Sequence, residues 1–371
     1  MPEPKAKSTS AVGVKVALAA AALFGCSTPL AKMLLAELPP VMLAGLLYLG
    51  SGVGLSLVRF ARRNVSREAP LVRADIPWLA SATLFGGVLG PVLLMYGLAT
   101  SSSSAASLLL NLEGVFTAFL AWFVFKENFD RRIFLGMLLI LMGGILLSWQ
   151  SSVSLPVGSL AVAGACLCWG IDNNLTQRVS AGDPVQVAAI KGTVAGCVNL
   201  TAALLMGAKL PGVAAVAGSL VVGFLGYGCS LALFVLALRH IGVARTGAYF
   251  SLAPFVGAAV SMLVLRETLG PNFFGAAVLM GLGVWLHLTE RHEHPHVHEA
   301  MSHTHPHLHD DHHQHSHGPE VDPSKPHTHP HDHFPLTHTH PHYPDIHHRH
   351  HHARREPATD TAPIESAAPG S

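Results

Sequence analysis

Apolar residues in this chain come in long runs, and charged residues gather in short clusters between them. A hydrocarbon core about 30 Å thick takes about 20 apolar residues of helix to cross. Runs of that length predict ten spans. Five lie at roughly 15–36, 40–60, 76–97, 101–125 and 132–149, and five more at 157–178, 184–206, 213–236, 244–265 and 271–289. Gly86, Gly87, Gly90 and Pro91 fall inside one run. A membrane helix tolerates them because neighbouring helices satisfy the freed backbone groups and small residues allow close approach. The expected fold is therefore all-α: a polytopic membrane protein of about ten transmembrane helices. The apolar pattern stops near Arg291. This gives a short N-terminal tail (1–14), two five-helix blocks (15–150 and 151–290) and a tail of different character (291–371).

Composition agrees with lipid as the solvent. Charged residues make up 12% of the 371, against about 25% in soluble chains. The net charge of +1 suggests no nucleic-acid partner. Cys26, Cys166, Cys168, Cys197 and Cys229 all sit in apolar runs, where free cysteine behaves as a small hydrophobe. Lys5, Lys7 and Lys15 before an apolar run imitate a signal peptide, and Leu23-Phe24-Gly25-Cys26 loosely imitates a lipoprotein cleavage site. Cleavage is not expected, because the run continues to Leu38 and nine more spans follow.

Lys and Arg in short loops set the orientation. With a cytoplasmic N-terminus, fifteen basic residues fall inside, from Lys5 through Arg59, Lys126, Arg178 and Arg245 to Arg291. Only Lys32, Lys209 and Arg266 fall outside. Both termini are expected in the cytoplasm, and the absence of a targeting peptide fits a bacterial inner membrane.

The two blocks repeat one another. Leu112-Glu113-Gly114-Val115-Phe116 through Lys126-Glu127 aligns with Leu252-Ala253-Pro254-Phe255-Val256 through Arg266-Glu267, at an offset of 267 − 127 = 140. Leu98, Ala118 and Val124 meet identical residues at the same offset. Phe24-Gly25 matches Trp169-Gly170 at an offset of 145, and Gly144 meets Gly283 at 139. Five spans is an odd number, so the second copy enters the membrane from the opposite side. Inverted repeats recur in secondary transporters, with the substrate near the midplane where the halves meet.

These residues carry a family resemblance. Trp169-Gly170, Leu252-Ala253-Pro254-Phe255, Glu267, Gly275 and Gly283 in the second copy, with Glu113, Glu127, Gly136 and Gly143-Gly144 in the first, resemble the EamA-type transporters of the drug/metabolite transporter superfamily over about residues 12–290. The sequence departs at Gly114, where proline is common, at Phe24 in place of tryptophan, and at Leu46, where a basic residue is common; Lys191 keeps that position in the second copy. The resemblance implies two inverted halves around a central cavity. It leaves the substrate open among amino acids, sugars, nucleotide derivatives and drugs.

A mid-bilayer charge costs about 2.5–3.5 kcal/mol on insertion scales, so such residues are functional candidates. Glu113 lies midway along the fourth span, two residues after Asn111. Asp172, followed by Asn173 and Asn174, lies midway along the sixth, one turn from Trp169. Lys191 lies in the seventh. Counting from the loop near Asp183 puts Asp172 and Lys191 at one depth, roughly 12–16 Å from the surface. They are expected either to neutralise one another or to hold a charged substrate or proton. Glu113 has no evident partner and is a candidate proton carrier. Lys32, toward the outer end of the first span, is expected to snorkel. Glu127 and Glu267 are expected to form solvated pairs with Lys126 and Arg266. Arg245 and Tyr249, one turn apart, suit a cytoplasmic gate or an interface anchor.

The tail is another polymer. Of 26 histidines, 24 lie at or after His292, and His-Thr-His-Pro-His starts at His303, His327 and His338. With little to bury, residues 291–371 are expected to be disordered. Neutral imidazole suits zinc, copper, nickel or cobalt. The candidate ligands are His303, His305, His307, His327, His329, His331, His338, His340 and His342. Three functions follow. The first is a transporter of a small organic metabolite or drug, an exporter by tail placement, with the tail as a metal buffer. The second is an exporter of a transition metal or its chelate. The third is a membrane metal sensor that transports nothing. No nucleophile–base arrangement, P-loop or HExxH suggests an enzyme, and no cofactor is required. The expected partners are lipid, a small solute, metal ions at the tail and, as one open assembly, a second copy.

Overall fold

The computed structural model describes residues 5–62, 71–124, 131–148, 157–179, 183–289, 293–298, 301–307, 327–333 and 336–341. Helices dominate. In the first half they are α1 (Lys5–Leu34), α2 (Pro40–Arg62), α3 (Ile76–Ala82), α4 (Gly90–Thr100), α5 (Ser103–Leu109), α6 (Leu112–Phe123) and α7 (Arg131–Ser148). In the second they are α8 (Val157–Val179), α9 (Pro184–Leu205), α10 (Val213–Val222), α11 (Ser230–Phe250), α12 (Ala253–Leu265) and α13 (Pro271–Leu288).

Two short π-helical stretches join helices into single spans. Thr83–Leu89 links α3 to α4, and Gly223–Cys229 links α10 to α11. They stand 140 residues apart, the offset of the repeat. Each is rich in glycine, which accommodates a wide turn and lets a neighbouring helix approach. α5 and α6 likewise form one interrupted span, broken at Leu110 and Asn111.

α11 is helical from Ser230 to Phe250, yet it holds two spans. The rings of Phe234 and Phe250 lie 4.9 Å apart. In a straight helix sixteen residues would separate them by about 24 Å. The chain therefore reverses between them, close to the loop expected at 237–243. Counted this way, the described residues carry ten spans. Six stretches among the described residues are long and apolar enough to cross a membrane by length and composition. Large apolar side chains such as Leu57, Phe60, Leu205, Val213 and Leu263 stand exposed around the bundle. In water so much apolar surface would drive association, and in lipid it is the expected exterior.

Equivalent helices of the two halves pack against each other antiparallel. In α2 and α9, Gly45 meets Leu200, Gly196 meets Leu49, and Gly52 meets Thr193. In α7 and α13, Gly143 meets Ala276 and Met280, while Gly283 meets Gly136 and Ile140. In α5 and α12, Ser103 bonds Ser261, and Gly257 sits on Ser107. A methyl group at most of these glycines would strike backbone, so the small residues set the closeness of the crossings. The cross-packing follows the same rule: α6 lies on α8 as α12 lies on α1, and α4 on α8 as α11 on α1.

The described parts of the tail form β1 (Glu293–His298), β2 (Met301–His307), β3 (His327–His333) and β4 (Leu336–Pro341). β1 pairs with β4 and β2 with β3, both antiparallel. The physical opening for this pairing is the alternation of His with Thr and Pro, which has the period of a strand. A lone two-stranded ribbon is marginal in water, and each of these carries proline.

Candidate functional site

Polar side chains collect where α8 crosses the first half. Asp172 points toward α9, where Lys191 Nζ donates to its Oδ1 at 2.5 Å. Thr176, one turn along α8, donates to the same oxygen at 2.8 Å and accepts from Lys191 at 3.1 Å. Lys191 is 1% exposed and Asp172 6%. Two desolvated charges are thus held in a closed, hydrogen-bonded triad. This realises the pairing that their common depth predicts, and Lys191 keeps no free face toward a ligand.

Gly86 fixes this triad from the other side. It lies in the first π-helical stretch, and a Cβ there would overlap the Asp172 carboxylate. Its carbonyl accepts from Tyr48 Oη at 2.7 Å and from Trp169 Nε1 at 2.9 Å. The second half repeats the contact with different chemistry, since Gly226 packs on Ser27. Ser27 is the repeat equivalent of Asp172, and Leu46 that of Lys191. The ion pair therefore occupies only one of two equivalent places.

Glu113, in the first turn of α6, lies apart from the pair. Asn173 donates to its Oε1 at 2.8 Å and also to Thr117 at 3.3 Å. Asn174 braces the same crossing by donating to Thr117 O and Gly170 O. Glu113 and Asn173 are half-buried, whereas Asp172 and Asn174 are buried. Trp169, one turn below Asn173 on the same face of α8, meets Phe24 edge-on at 5.8 Å. Phe24 in turn touches Tyr227 at 5.7 Å and Phe250 at 5.5 Å. The centre thus carries a buried neutral pair, a separate carboxylate and a group of aromatic rings.

Asn111 does not join that centre. It sits at the α5–α6 break, donates to Leu108 O at 2.9 Å and to Met280 Sδ at 3.8 Å, and so faces α13. Tyr249 is half-buried and packs with Ala17, Ala237 and Ile241. The side chain of Arg245 lies outside what the structure describes, as do Glu127, His342 and all histidine side chains of the tail. Of the other candidate ligands, His303, His305 and His307 lie on β2, His327, His329 and His331 on β3, and His338 and His340 on β4.

Two residues behave differently from expectation at the far end of α1. Glu267 does not form a solvated pair with Arg266. It accepts from Ser103 N at 2.7 Å and Ser104 N at 2.9 Å, and from the Ser104 hydroxyl at short range. Arg266 adopts a left-handed backbone, φ 50°, which ends α12 and turns the chain toward α5. The carboxylate satisfies amide groups that a helix start leaves free. Lys32, half-buried, turns its ammonium onto backbone carbonyls. It donates to Leu98 O at 2.5 Å and Ser101 O at 2.9 Å, carbonyls released at the end of α4. Together the two charges staple the α4–α5 break between helices of both halves. Ser101-Ser102-Ser103-Ser104 was the available signal, because hydroxyl-rich breaks seek charged caps.

Comparison with known proteins decides the lineage. The EamA-like transporter family matches residues 11–149 and again residues 156–289. The chain belongs to that family. An uncharacterized transporter of Methanothermobacter thermautotrophicus is 29% identical over 288 residues, covering 72% of this chain and 84% of that protein. The uncharacterized transporter YyaM of Bacillus subtilis is 26% identical over 208 residues, covering 52% of this chain and 66% of that protein. A crystal structure at 16% identity superposes with a TM-score of 0.58 over 76% of this chain and 98% of its own, and shows the shared fold. This EamA-family chain is thus a polytopic integral membrane protein related to transporters.

Proposed function

We propose that this EamA-family protein is an alternating-access transporter and that its solute is a small organic metabolite or drug. One observation carries the reading. Repeat-equivalent helices α2/α9, α5/α12 and α7/α13 pair antiparallel around a centre of polar residues. That is the arrangement of two inverted halves able to rock about a midplane site. The direction that fits best is export, with both termini in the cytoplasm of a bacterial inner membrane.

The donor chemistry favours an organic solute over a transition metal. The centre offers carboxylate, amide and hydroxyl groups, whereas nickel, copper or zinc would draw imidazole or thiolate. Cys166 is occupied in packing and donates to Leu109 O at 3.6 Å. Glu113 is assigned as the proton-coupling group, because it is a midspan carboxylate held by an amide and no cation. The tail is assigned as an accessory store for divalent transition metals, and a homodimer is compatible with the exposed apolar exterior.

The test compares cells carrying the full chain, a chain ending at Arg291, or neither. Each is challenged with nickel, cobalt, zinc and copper and with amino acids and toxic metabolites. The reading expects both chains to change accumulation of one organic solute. Metal accumulation altered by the full chain alone would put metal export in its place. Glu113→Gln is expected to abolish the pH dependence of transport, and intact transport with an unchanged pH profile would remove the coupling role.

A further inference from the structure

Charge balance at the centre points to the class of solute. The described ion pairs include Arg59 with Asp183 at the surface and Lys191 with Asp172 inside. Lys191 is spent on Asp172 and Thr176 and is 1% exposed, so it offers nothing to an anion. Glu113 is left with an amide partner only. A half-buried midspan carboxylate, with no cation beside it among the described residues, is a standing site for a proton or a positively charged ligand.

Aromatic rings one turn along α8 from its amide partner have matching chemistry. Trp169 stands one turn from Asn173, the residue that holds Glu113. Phe24, Tyr227 and Phe250 continue the group, with centroids 5.5–5.8 Å from Phe24. The indole nitrogen is tied to Gly86 O, which orients the ring. Ring faces attract cations electrostatically, and more strongly where water is excluded. Thr28, one turn beyond Phe24 on α1, buries a hydroxyl that has no hydrogen-bond partner. A ligand group there would satisfy it.

We infer that the site around Glu113 and the Phe24–Trp169–Tyr227–Phe250 rings binds an organic cation: an ammonium group carried on an apolar or aromatic body. The ammonium displaces the proton of Glu113 or pairs directly with the carboxylate, and the body lies among the rings. An anion of equal shape would meet Glu113 unscreened, and a neutral analogue would gain only the apolar contact. This assignment rests on the transporter reading for its access route, since the rings pack against one another here and rocking of the halves must part them.

The experiment uses the full chain in lipid nanodiscs with three probes of one shape: phenylethylammonium, phenylethanol and phenylacetate. Saturable binding is followed by calorimetry at pH 7.5. The cation is expected to bind at least about tenfold more tightly than either analogue, from a hydrogen-bonded charge pair. Glu113→Gln is expected to remove that preference. Phe24→Leu keeps the carboxylate and the bulk, and should weaken the cation by about 2- to 30-fold, the range of one cation–π contact. Equal or tighter binding of phenylethanol or phenylacetate, binding of none of the three, or an unchanged preference in both variants overturns the assignment. Flux of the same probes in proteoliposomes separates the two ideas. Flux of phenylacetate with no cation preference would keep transport and discard the cation site. Cation binding without flux of any probe would keep the site and discard transport.

Discussion

Asp172 and Lys191 show how a buried charge is made tolerable. Each alone would be expensive inside the bundle, and together with Thr176 they leave no uncompensated charge. Such a pair is weak evidence of net stability, but breaking it is costly, about 3–5 kcal/mol, because the survivor stays buried. Lys191→Met alone is therefore expected to lower the thermal unfolding midpoint of the protein in detergent. Combined with Asp172→Asn, most of that loss should return. If the double variant is no more stable than Lys191→Met, the two residues are not coupled as the geometry requires. Depth along the helices was enough to foresee this pair from the sequence. The role of Gly86 was not, because nothing local marks which glycine will face a carboxylate 86 residues away.

At the scale of the element, the α4–α5 break matters most. Ser103 and Ser261 lie on opposite halves with their hydroxyl oxygens 2.9 Å apart. Glu267 and Lys32 hold the same place from either side. If the halves rock, this contact must open. Ser103→Cys with Ser261→Cys brings two thiols within reach of a disulfide, whose Cβ atoms need to be about 3.5–4.5 Å apart. Oxidation of that variant is expected to stop solute accumulation changes, and reductant to restore them, while either single variant stays insensitive. Undiminished transport by the oxidised, mass-verified crosslink would mean the halves do not part here. Span positions were readable because apolar run length is dictated by bilayer thickness. The partners of Glu267 were not, since Arg266 beside it offered a plausible local partner and Ser104 lies 163 residues away. The π-helical stretches were equally hidden: Gly86-Gly87 and Gly226–Gly228 read as ordinary small-residue packing until backbone geometry separates them.

For the whole molecule, the question is how a helical core and a histidine tail divide the work. In the helical part, Asp172, Lys191, Lys32 and Glu267 each have defined partners. In the tail, the ladder register sets His294 opposite His340 and His296 opposite His338, and likewise His303, His305 and His307 opposite His331, His329 and His327. The His-X-His alternation of the sequence offers a metal many nitrogen donors close together along the chain. Imidazole binds metal only when neutral, so its ordinary pKa of about 6.5 sets the window. Binding is expected in full above that value and to fall away as pH drops toward 5.5, because protons then compete for the ring nitrogens. Nickel or zinc titrated into the full chain by calorimetry should show several equivalents at pH 7.5 and few at pH 5.5. The chain ending at Arg291 should show almost none at either pH. Metal retained by the truncated chain would relocate binding to the core, where Glu113 and the other midspan oxygen donors would then need a second reading as ligands.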